Sequence, residues 1–452
     1  PSTYVYDGLQ HGLNVTCEAD GVLQTGLKRN VLGGTVTWTF TPDDTETYSA
    51  DSGSGTVEIT ARPITITALG IAQILAWGTS FYFPAVFAAP IVADTGWSLF
   101  WVVSGTSLGL LIAGLISPRV GVMIDRCGGR PILASSSLLY AAGLTGVAFA
   151  PNLPSYLASW VVVGCGMGTG LYDAVFAALG KLYGQEARAP ITNLTLFGGF
   201  SSTICWPLSA FLIEAFGWRN ACIAYALAHL VIALPLQLAV MPPLVRSADK
   251  PPSSGTLKAD EVQRVPNERW VFALLALVLT ISSGIGSIVI VHMMTFLQAR
   301  GADFALAITL GTLFGPAQVG ARVIERLFGA RYHPIWTMIA SCTLMAAGLL
   351  ALSGSFAILS LTILVYGAGY GIMWIARGTL PLAVFGPRRY ATLIGRIAFP
   401  ALIVQALAPS AGALLIEMQG PGAAMAVLAE LAVLNTVLVA VLWAACRRPS
   451  SS

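Results

Sequence analysis

Between residues 66 and 446 the chain is a succession of long apolar runs separated by short polar punctuation. The hydrocarbon core of a bilayer, about 30 Å thick, is crossed by about 20 helical residues, and inside it every backbone N–H and C=O needs a partner within the chain. Runs of this length read as transmembrane helices. Twelve are expected, over 66–92, 98–117, 131–150, 155–180, 190–213, 219–241, 269–297, 303–324, 334–353, 355–384, 390–416 and 422–445. Composition points the same way: 56% of the 452 residues are hydrophobic and only 10% are charged, against about 25% charge in soluble domains. An ordinary soluble enzyme is excluded. A formal charge of +3 gives no reason to expect nucleic acid as a partner. The seven Cys form no C-x-x-C pair and no His/Cys metal spacing, so neither a disulfide framework nor a metal site is expected.

Residues 1–65 differ in kind. Thr35-Val36-Thr37-Trp38-Thr39-Phe40 and Gly55-Thr56-Val57-Glu58-Ile59-Thr60 alternate with period two between Gly, Pro, Asp and Ser, the pattern of β-strands joined by turns. Eight acidic residues stand against three basic ones, which makes this segment −5 and leaves +8 for the rest. A boundary near 62–68 is expected, with a small all-β module before it. The pattern Tyr6-Asp7-Gly8, His11-Gly12, Thr37 to Pro42, Tyr48 and Gly55 to Thr60 resembles the immunoglobulin-like repeats of bacterial surface adhesins, called MBG repeats. Such a repeat belongs outside a cell. The sequence begins without Met and shows no signal peptide, so a join near Pro63–Leu69 is expected and the module is given no role in transport.

Loops rich in Lys and Arg are retained in the cytoplasm. With residue 66 starting inside, seventeen Lys and Arg fall in inner loops and the tail, Arg322, Arg326 and Arg331 among them, while only Arg219 and Arg300 fall outside. Both ends of the membrane domain are therefore expected in the cytoplasm, across a bacterial inner membrane. The longest polar break, 242–268, reads as a cytoplasmic linker between six-helix halves at 66–241 and 269–446, with a tail at 447–452. The expected fold class is an all-α membrane protein of twelve helices in two pseudo-symmetric halves, preceded by the β-module.

After the second span comes Gly121-Val122-Met123-Ile124-Asp125-Arg126-Cys127-Gly128-Gly129-Arg130-Pro131. Gly121 and Gly128 permit close backbone approach. Asp125 can accept from a helix N-terminus or a facing Arg, while Arg126 and Arg130 stay at the cytoplasmic surface. With Gly129, this G-x-x-x-D-R-x-G-G-R loop resembles the signature between the second and third helices of the major facilitator superfamily. A degenerate copy stands 200 residues on, Ile324-Glu325-Arg326-Leu327-Phe328-Gly329-Ala330-Arg331, with Phe328 in place of Gly128. A shared offset in matching loops is what a parallel six-helix repeat implies. Gly164-Cys165-Gly166-Met167-Gly168 and Gly367-Ala368-Gly369-Tyr370-Gly371 repeat at an offset of 203 and suit close helix packing.

Gly168-Thr169-Gly170-Leu171-Tyr172-Asp173, Phe216-Gly217-Trp218-Arg219 and Asp94-Thr95-Gly96-Trp97-Ser98 are similar to the monocarboxylate-transporter and oxalate/formate-antiporter branch of that superfamily. Two marks of the branch are missing. Leu182-Tyr183-Gly184-Gln185 lacks its paired Arg, and Thr309 to Gln318 of the eighth helix holds no charge.

Ionisable groups inside a span are expensive and line water-filled paths. Asp173 and Arg377 sit at similar depths in helices four and ten, so they are expected to face each other across the cavity. Arg377 can bind a carboxylate bidentately, with Tyr370 and Trp374 on the same helix face and Asp173 as a group that takes up a proton. The alternative for the pair is a permanent structural salt bridge. Gln73 and Trp77 on helix one, Tyr172 beside Asp173, Gln405, and Arg396 as a substrate contact or a helix-end residue complete the candidates. Asn193, Trp206, His229 and His292 are weaker ones. No Walker loop, H-E-x-x-H or G-x-S-x-G is present, so no enzyme and no cofactor are expected. The resemblance implies a monomeric secondary transporter of a small organic anion, working by H⁺ coupling or exchange. The alternatives are efflux of a drug-like or amphipathic metabolite, or a surface protein displaying the β-module. Deleting residues 1–62 behind a new initiating Met is expected to leave membrane insertion intact, as read by fractionation; loss of insertion would make the segment part of the folding unit.

Overall fold

The computed structural model describes residues 63–242, 268–354, 358–387 and 389–447, and before them only the backbone of strands at Ser2–Val5, His11–Gly12, Gly21–Thr25, Leu27–Lys28, Gly34–Pro42 and Asp51–Thr60. The rest of the β-module expected over 1–65, apart from its end, and the interior of the expected linker lie outside the described residues. From Pro63 on, the described chain is helical. In order it comprises α1 (Pro63–Gly78), α2 (Pro84–Thr95), α3 (Leu99–Cys127), α4 (Gly129–Ala148), α5 (Leu153–Gly170), α6 (Tyr172–Tyr183), α7 (Arg188–Gly199), α8 (Ser201–Ala228), α9 (Leu234–Val240), α10 (Glu268–Ala299), α11 (Phe304–Thr312), α12 (Phe314–Phe328), α13 (Pro334–Ser353), α14 (Leu359–Phe385) and α15 (Tyr390–Arg447). Large apolar side chains such as Phe149, Val231, Leu350 and Val437 are exposed, as suits a surface solvated by lipid.

Seven helical stretches are long and apolar enough to cross a bilayer. Two of them, 88 and 57 residues long, far exceed the roughly 20 residues of one crossing. The chain reverses inside both. In α8, Gly217 takes φ 81° and ψ 159°, and Ser209 and Tyr225 share a 2.7 Å hydrogen bond; along a straight helix they would stand about 24 Å apart. In α15, Gly420 takes φ 85° and ψ 163°. There Gln405 O accepts from Ser287 at 2.8 Å, and Asn435 donates to Ser282 at 2.9 Å, so two residues far apart on α15 reach neighbouring turns of α10. Both turns need a left-handed residue, which a Cβ would strain.

Four expected spans are interrupted: 190–213 at Phe200 and 303–324 at Leu313, where the backbone stays near helical, and two others more sharply. The span 66–92 divides at Thr79–Phe83, where Pro84 opens α2 and brings no backbone donor. The span 155–180 divides at Leu171, which is extended after the glycine-rich end of α5; Gly is a poor helix former. The break frees the Gly170 carbonyl, and Gln73 Nε2 donates to it at 2.5 Å. Side-chain rescue of this kind makes a break tolerable at bilayer depth. The glycine repeats serve packing: a Cβ on Gly164 would lie 2.6 Å from Gly109 O, and one on Gly371 would lie 2.6 Å from Gln318 O. Thus α5 meets the backbone of α3, and α14 that of α12, at equivalent places in the two halves.

At the end of the bundle rich in Arg and Lys, two locks join α1–α9 to α10–α15. Asp125 accepts from Thr392 N at 2.9 Å and from the Thr392 hydroxyl, so its carboxylate faces the first turn of α15. Beside it, Ser117 donates to Gly395 O at 2.9 Å, and a Cβ on Gly121 would run into Ala391 O. In the second lock Arg188, opening α7, donates to Gly329 O at 2.5 Å and lies 3.5 Å from Glu325. Arg326 donates to Asn193 at 2.5 Å. Each acid of the repeated loop therefore meets the start of a helix in the opposite half. Among the described residues, the hydrogen bonds joining the halves fall between mid-depth and this basic end.

At the other end Asp94 accepts from Arg219 and, at 3.2 Å, from Trp218 Nε1. The two sequence motifs noted above thus form one latch, within the first half. Arg219 foremost, then Trp218, holds the Asp94 carboxyl below its usual range.

Two outcomes follow. Asp125→Asn is expected to weaken the closed basic end by about 1 kcal/mol, read as faster thiol labelling of a single Cys placed at the buried residue 391; unchanged labelling would dismiss the lock. A carboxyl with a lowered folded pKa adds stability above its unfolded value, about 3.9, and loses it as pH falls through the folded value. The thermal stability of the wild type should accordingly carry an acid-side decline that Asp94→Asn diminishes, as followed by melting between neutral pH and pH about 3.

Candidate functional site

Asp173 stands ten residues before the end of α6 and Arg377 eight before the end of α14. Both are therefore about 12–15 Å in from the basic end. They meet across the halves. Arg377 donates Nε to Oδ1 and Nη2 to Oδ2 of Asp173, both at 2.8 Å, and Nη1 to Ser283 Oγ at 3.1 Å. The arginine side chain is 0% exposed and the aspartate 14%. Such a fork gives two charge-assisted bonds, and removing either partner would leave a buried charge uncompensated. The Trp374 ring lies 5.4 Å from the Arg377 guanidinium carbon. With Asp173 on one edge and Ser283 on the other, Arg377 is not a free anion receptor in this state.

An aromatic layer lies against the pair. Trp77, Tyr172 and Trp374 have ring centroids 5.0–5.5 Å apart, and Tyr370 packs on Trp374 at 6.1 Å and on Phe314 at 5.7 Å. Trp77, Tyr172 and Trp374, together with Asp173, Ser117 and Gln405, line a narrow space of about 20 Å³ between the halves, room for about one water in this state.

Other candidates fall elsewhere. Gln73 supports the helix break rather than this space. Arg396 is exposed on α15 and does not line this space: Gly395 is the residue against α3, and the next residue points about 100° away. Asn193 serves the second lock. Trp206 is exposed on α8. His229 bonds Thr79 at 2.9 Å and stacks on Tyr140 at 4.7 Å, and His292 bonds Pro409 O. In the loop signature Arg126 is exposed and Arg130 half-buried, while Gly128 and Gly129 are buried at the turn into α4. Among the described residues no cluster of three metal-ligating side chains occurs.

Arg322 is the residue that sequence reasoning missed. Counted with the inner-loop charges, it lies instead on α12, six residues before its end, and is 3% exposed. Its Nε donates to Gly371 O at 3.0 Å, Nη1 to Thr195 O at 2.7 Å and Nη2 to Gln318 Oε1 at 3.5 Å. These acceptors are neutral, and no carboxylate pairs with Arg322 among the described residues. Tyr172 Oη donates to the same Thr195 carbonyl at 3.3 Å. The absence of charge noted over Thr309 to Gln318 stops one helical turn short of it. The available signal was that α12 runs on through Glu325-Arg326 to Phe328, which puts Arg322 more than a turn inside.

A family model for the major facilitator superfamily matches residues 69–332. Monocarboxylate transporter 3 of Rattus norvegicus is 25% identical over 379 residues, covering 79% of this chain and 74% of that one. The niacin transporter NiaP of Acinetobacter baylyi is 31% identical over 121 residues, which is 27% of each protein. The structure of the human organic anion transporter MFSD10 (TETRAN) covers 83% of this chain and 98% of its own, with a TM-score of 0.65 at 16% identity, and thus shares its fold. With more than half of its length matched by the family model, the protein belongs to the major facilitator superfamily of membrane transporters.

Proposed function

We propose that this transporter moves a small organic anion by alternating access between two six-helix halves, twelve crossings in all, with H⁺ coupling or anion exchange. The observation that carries this reading is Arg322: a buried guanidinium at the interface of the halves, bonded among the described residues only to neutral acceptors. A desolvated cation without a counter-ion favours an anion beside it, and a guanidinium fork matches a carboxylate. The names of the rat and human relatives, a monocarboxylate and an organic anion transporter, point to the same charge class. Arg377 and Asp173 are assigned the coupling role instead. Protonation of Asp173 would release Arg377 from its fork and loosen the halves at mid-depth.

The seventeen-to-two bias of Lys and Arg supports cytoplasmic ends for the membrane domain in a bacterial inner membrane. On that orientation the locked basic end makes this an outward-facing or occluded state. The protein is taken to act as a monomer in the bilayer, with its substrate and H⁺ as its other partners. Efflux of an amphipathic metabolite has weaker support, because Trp206, part of the apolar pocket that reading needs, is 44% exposed.

Counterflow of labelled carboxylates in proteoliposomes tests the reading. Losing one charged hydrogen-bond partner costs about 1.5–3 kcal/mol, so Arg322→Lys should lower affinity by about tenfold or more and Arg322→Ala should abolish binding. Asp173→Asn should retain exchange and lose its pH dependence. A well-folded Arg322→Ala that transports carboxylates normally would overturn the anion site. If Asp173 and Arg377 are structural only, both single Ala variants should fold poorly and the double Ala variant should recover stability.

A further inference from the structure

One buried side chain touches both the mid-depth pair's helices and the lock at the basic end. Tyr390 opens α15, is 0% exposed, and stands two residues before Thr392, whose N–H and hydroxyl donate to Asp125. Its own hydroxyl donates to Gly378 O at 2.5 Å, the carbonyl next in sequence to Arg377. Its ring fills a notch at Gly180 on α6, where a Cβ would run into it. Asp173 and Gly180 share one face of α6, since residues seven apart are two turns apart. Lys181, beside the notch, donates to the Asp125 backbone carbonyl. The ring therefore belongs to the second half, and its seat to the first.

Tyr390 grips α14 where that helix is weakest. Pro381 lies inside it and offers no N–H to the Arg377 carbonyl four residues back, a loss that lets a helix bend. Gly378 is itself a poor helix former. The stretch from Arg377 to the end of α14 is thus fixed in part from outside, by the tyrosine hydroxyl. A buried hydroxyl that loses its acceptor is costly, so the place of Gly378 and the seat of the ring depend on each other. The first half has no such grip: at the repeat offset of 203, Tyr390 corresponds to Ala187, which has neither ring nor hydroxyl. The repeated architecture alone does not call for it.

We propose that Tyr390 is a positioning residue that couples the Asp173–Arg377 fork to the Asp125–Thr392 lock. The inference rests on the coupling role assigned to that pair. While the fork holds, Arg377 keeps the Gly378 carbonyl under the hydroxyl, the ring stays in its notch, and the first turn of α15 meets Asp125. When Asp173 releases Arg377, the next peptide moves with it and the hydroxyl loses its acceptor. The ring then leaves α6, and the turn that carries Thr392 leaves Asp125. In the opposite direction, a closed basic end holds Arg377 in line with Asp173, because coupling between two sites is reciprocal.

The test uses the full chain in membrane vesicles, with Ala391→Cys as its sole cysteine and a permeant maleimide as the label. Asp173→Asn should speed labelling about tenfold or more, the effect of losing one charged hydrogen bond. Tyr390→Phe keeps the ring and loses the hydroxyl. In its presence the acceleration by Asp173→Asn should be about fivefold smaller, the worth of one neutral hydrogen bond. Gly180→Ala expels the ring and keeps the hydroxyl, and it should shrink the acceleration likewise, so the outcome does not hang on the folding of one variant. A tyrosine that only stabilised the fold would raise both labelling rates alike and leave their ratio unchanged. That result overturns the role of Tyr390 and leaves the coupling role of Asp173 standing. Labelling that ignores Asp173→Asn while Tyr390 is intact overturns both.

Discussion

A guanidinium in a low-dielectric interior stays where its donors are met, and both buried arginines here are met across the interface between the halves. Arg377 on α14 is held by Asp173 on α6, and Arg322 on α12 by the Thr195 carbonyl on α7. The rest of the architecture serves these two ties. Helix four breaks at Leu171, which places Asp173 in the first turn of α6. Gln73 satisfies the carbonyl that the break exposes. Both ties join groups for which the proposed cargo competes, a proton for Asp173 and an anion for Arg322. A ligand that binds the untied arrangement better than the tied one shifts the equilibrium between them, and no further linkage is needed.

The sequence repeat has a counterpart in bonds. At the basic end Asp125 meets the first turn of α15, and Glu325, its repeat partner, meets Arg188 at the first turn of α7. Within each half a buried polar knot also recurs. Thr79, His229 and Tyr140 join α1, the turn after α8, and α4. Ser282, Asn435 and Cys342, each about 200 residues further on, join α10, α15 and α13. The chemistry has diverged while the positions have not, which is what duplication followed by independent repacking leaves. Such knots fix three helices within one half, so the halves can move as units around the mid-depth ties.

Much of this was legible because hydrophobic periodicity and buried charge are local signals. The apolar runs marked the helices, and matching depth on two runs picked out Asp173 and Arg377. The loop signature named Asp125, and its acceptor role needs only a carboxylate facing a helix start. Three things were not legible. The breaks at Thr79–Phe83 and Leu171 depend on Gln73 and Pro84 rescuing or interrupting the backbone, and a hydropathy pattern does not register that. Arg322 was counted with the inner-loop charges although the expected span 303–324 contained it near its end, whereas α12 runs four residues further, to Phe328, and keeps it buried. Arg396 shared a helix with inward residues, but the close approach at Gly395 fixes the rotation of α15 and turns Arg396 outward.

The charges at mid-depth also constrain stoichiometry. Asp173 offsets Arg377, and Arg322 has no partner of opposite charge among the described residues, so the empty site carries one net positive charge. A bound monoanion brings the site to zero. A monoanion together with a proton on Asp173 returns it to one positive charge, equal to the empty state. Reorientation moves this charge through a changing dielectric, and the associated barrier depends on its magnitude. The empty and doubly loaded forms therefore face similar electrostatic barriers, while the form with anion alone faces a different one. A dianion would leave the doubly loaded site neutral and break that equality. His229 and His292 do not restore it, since they are bonded to Thr79 and to Pro409 O away from the arginines. On the proposed roles of these residues, the charge arrangement thus favours one proton moving with one singly charged acid.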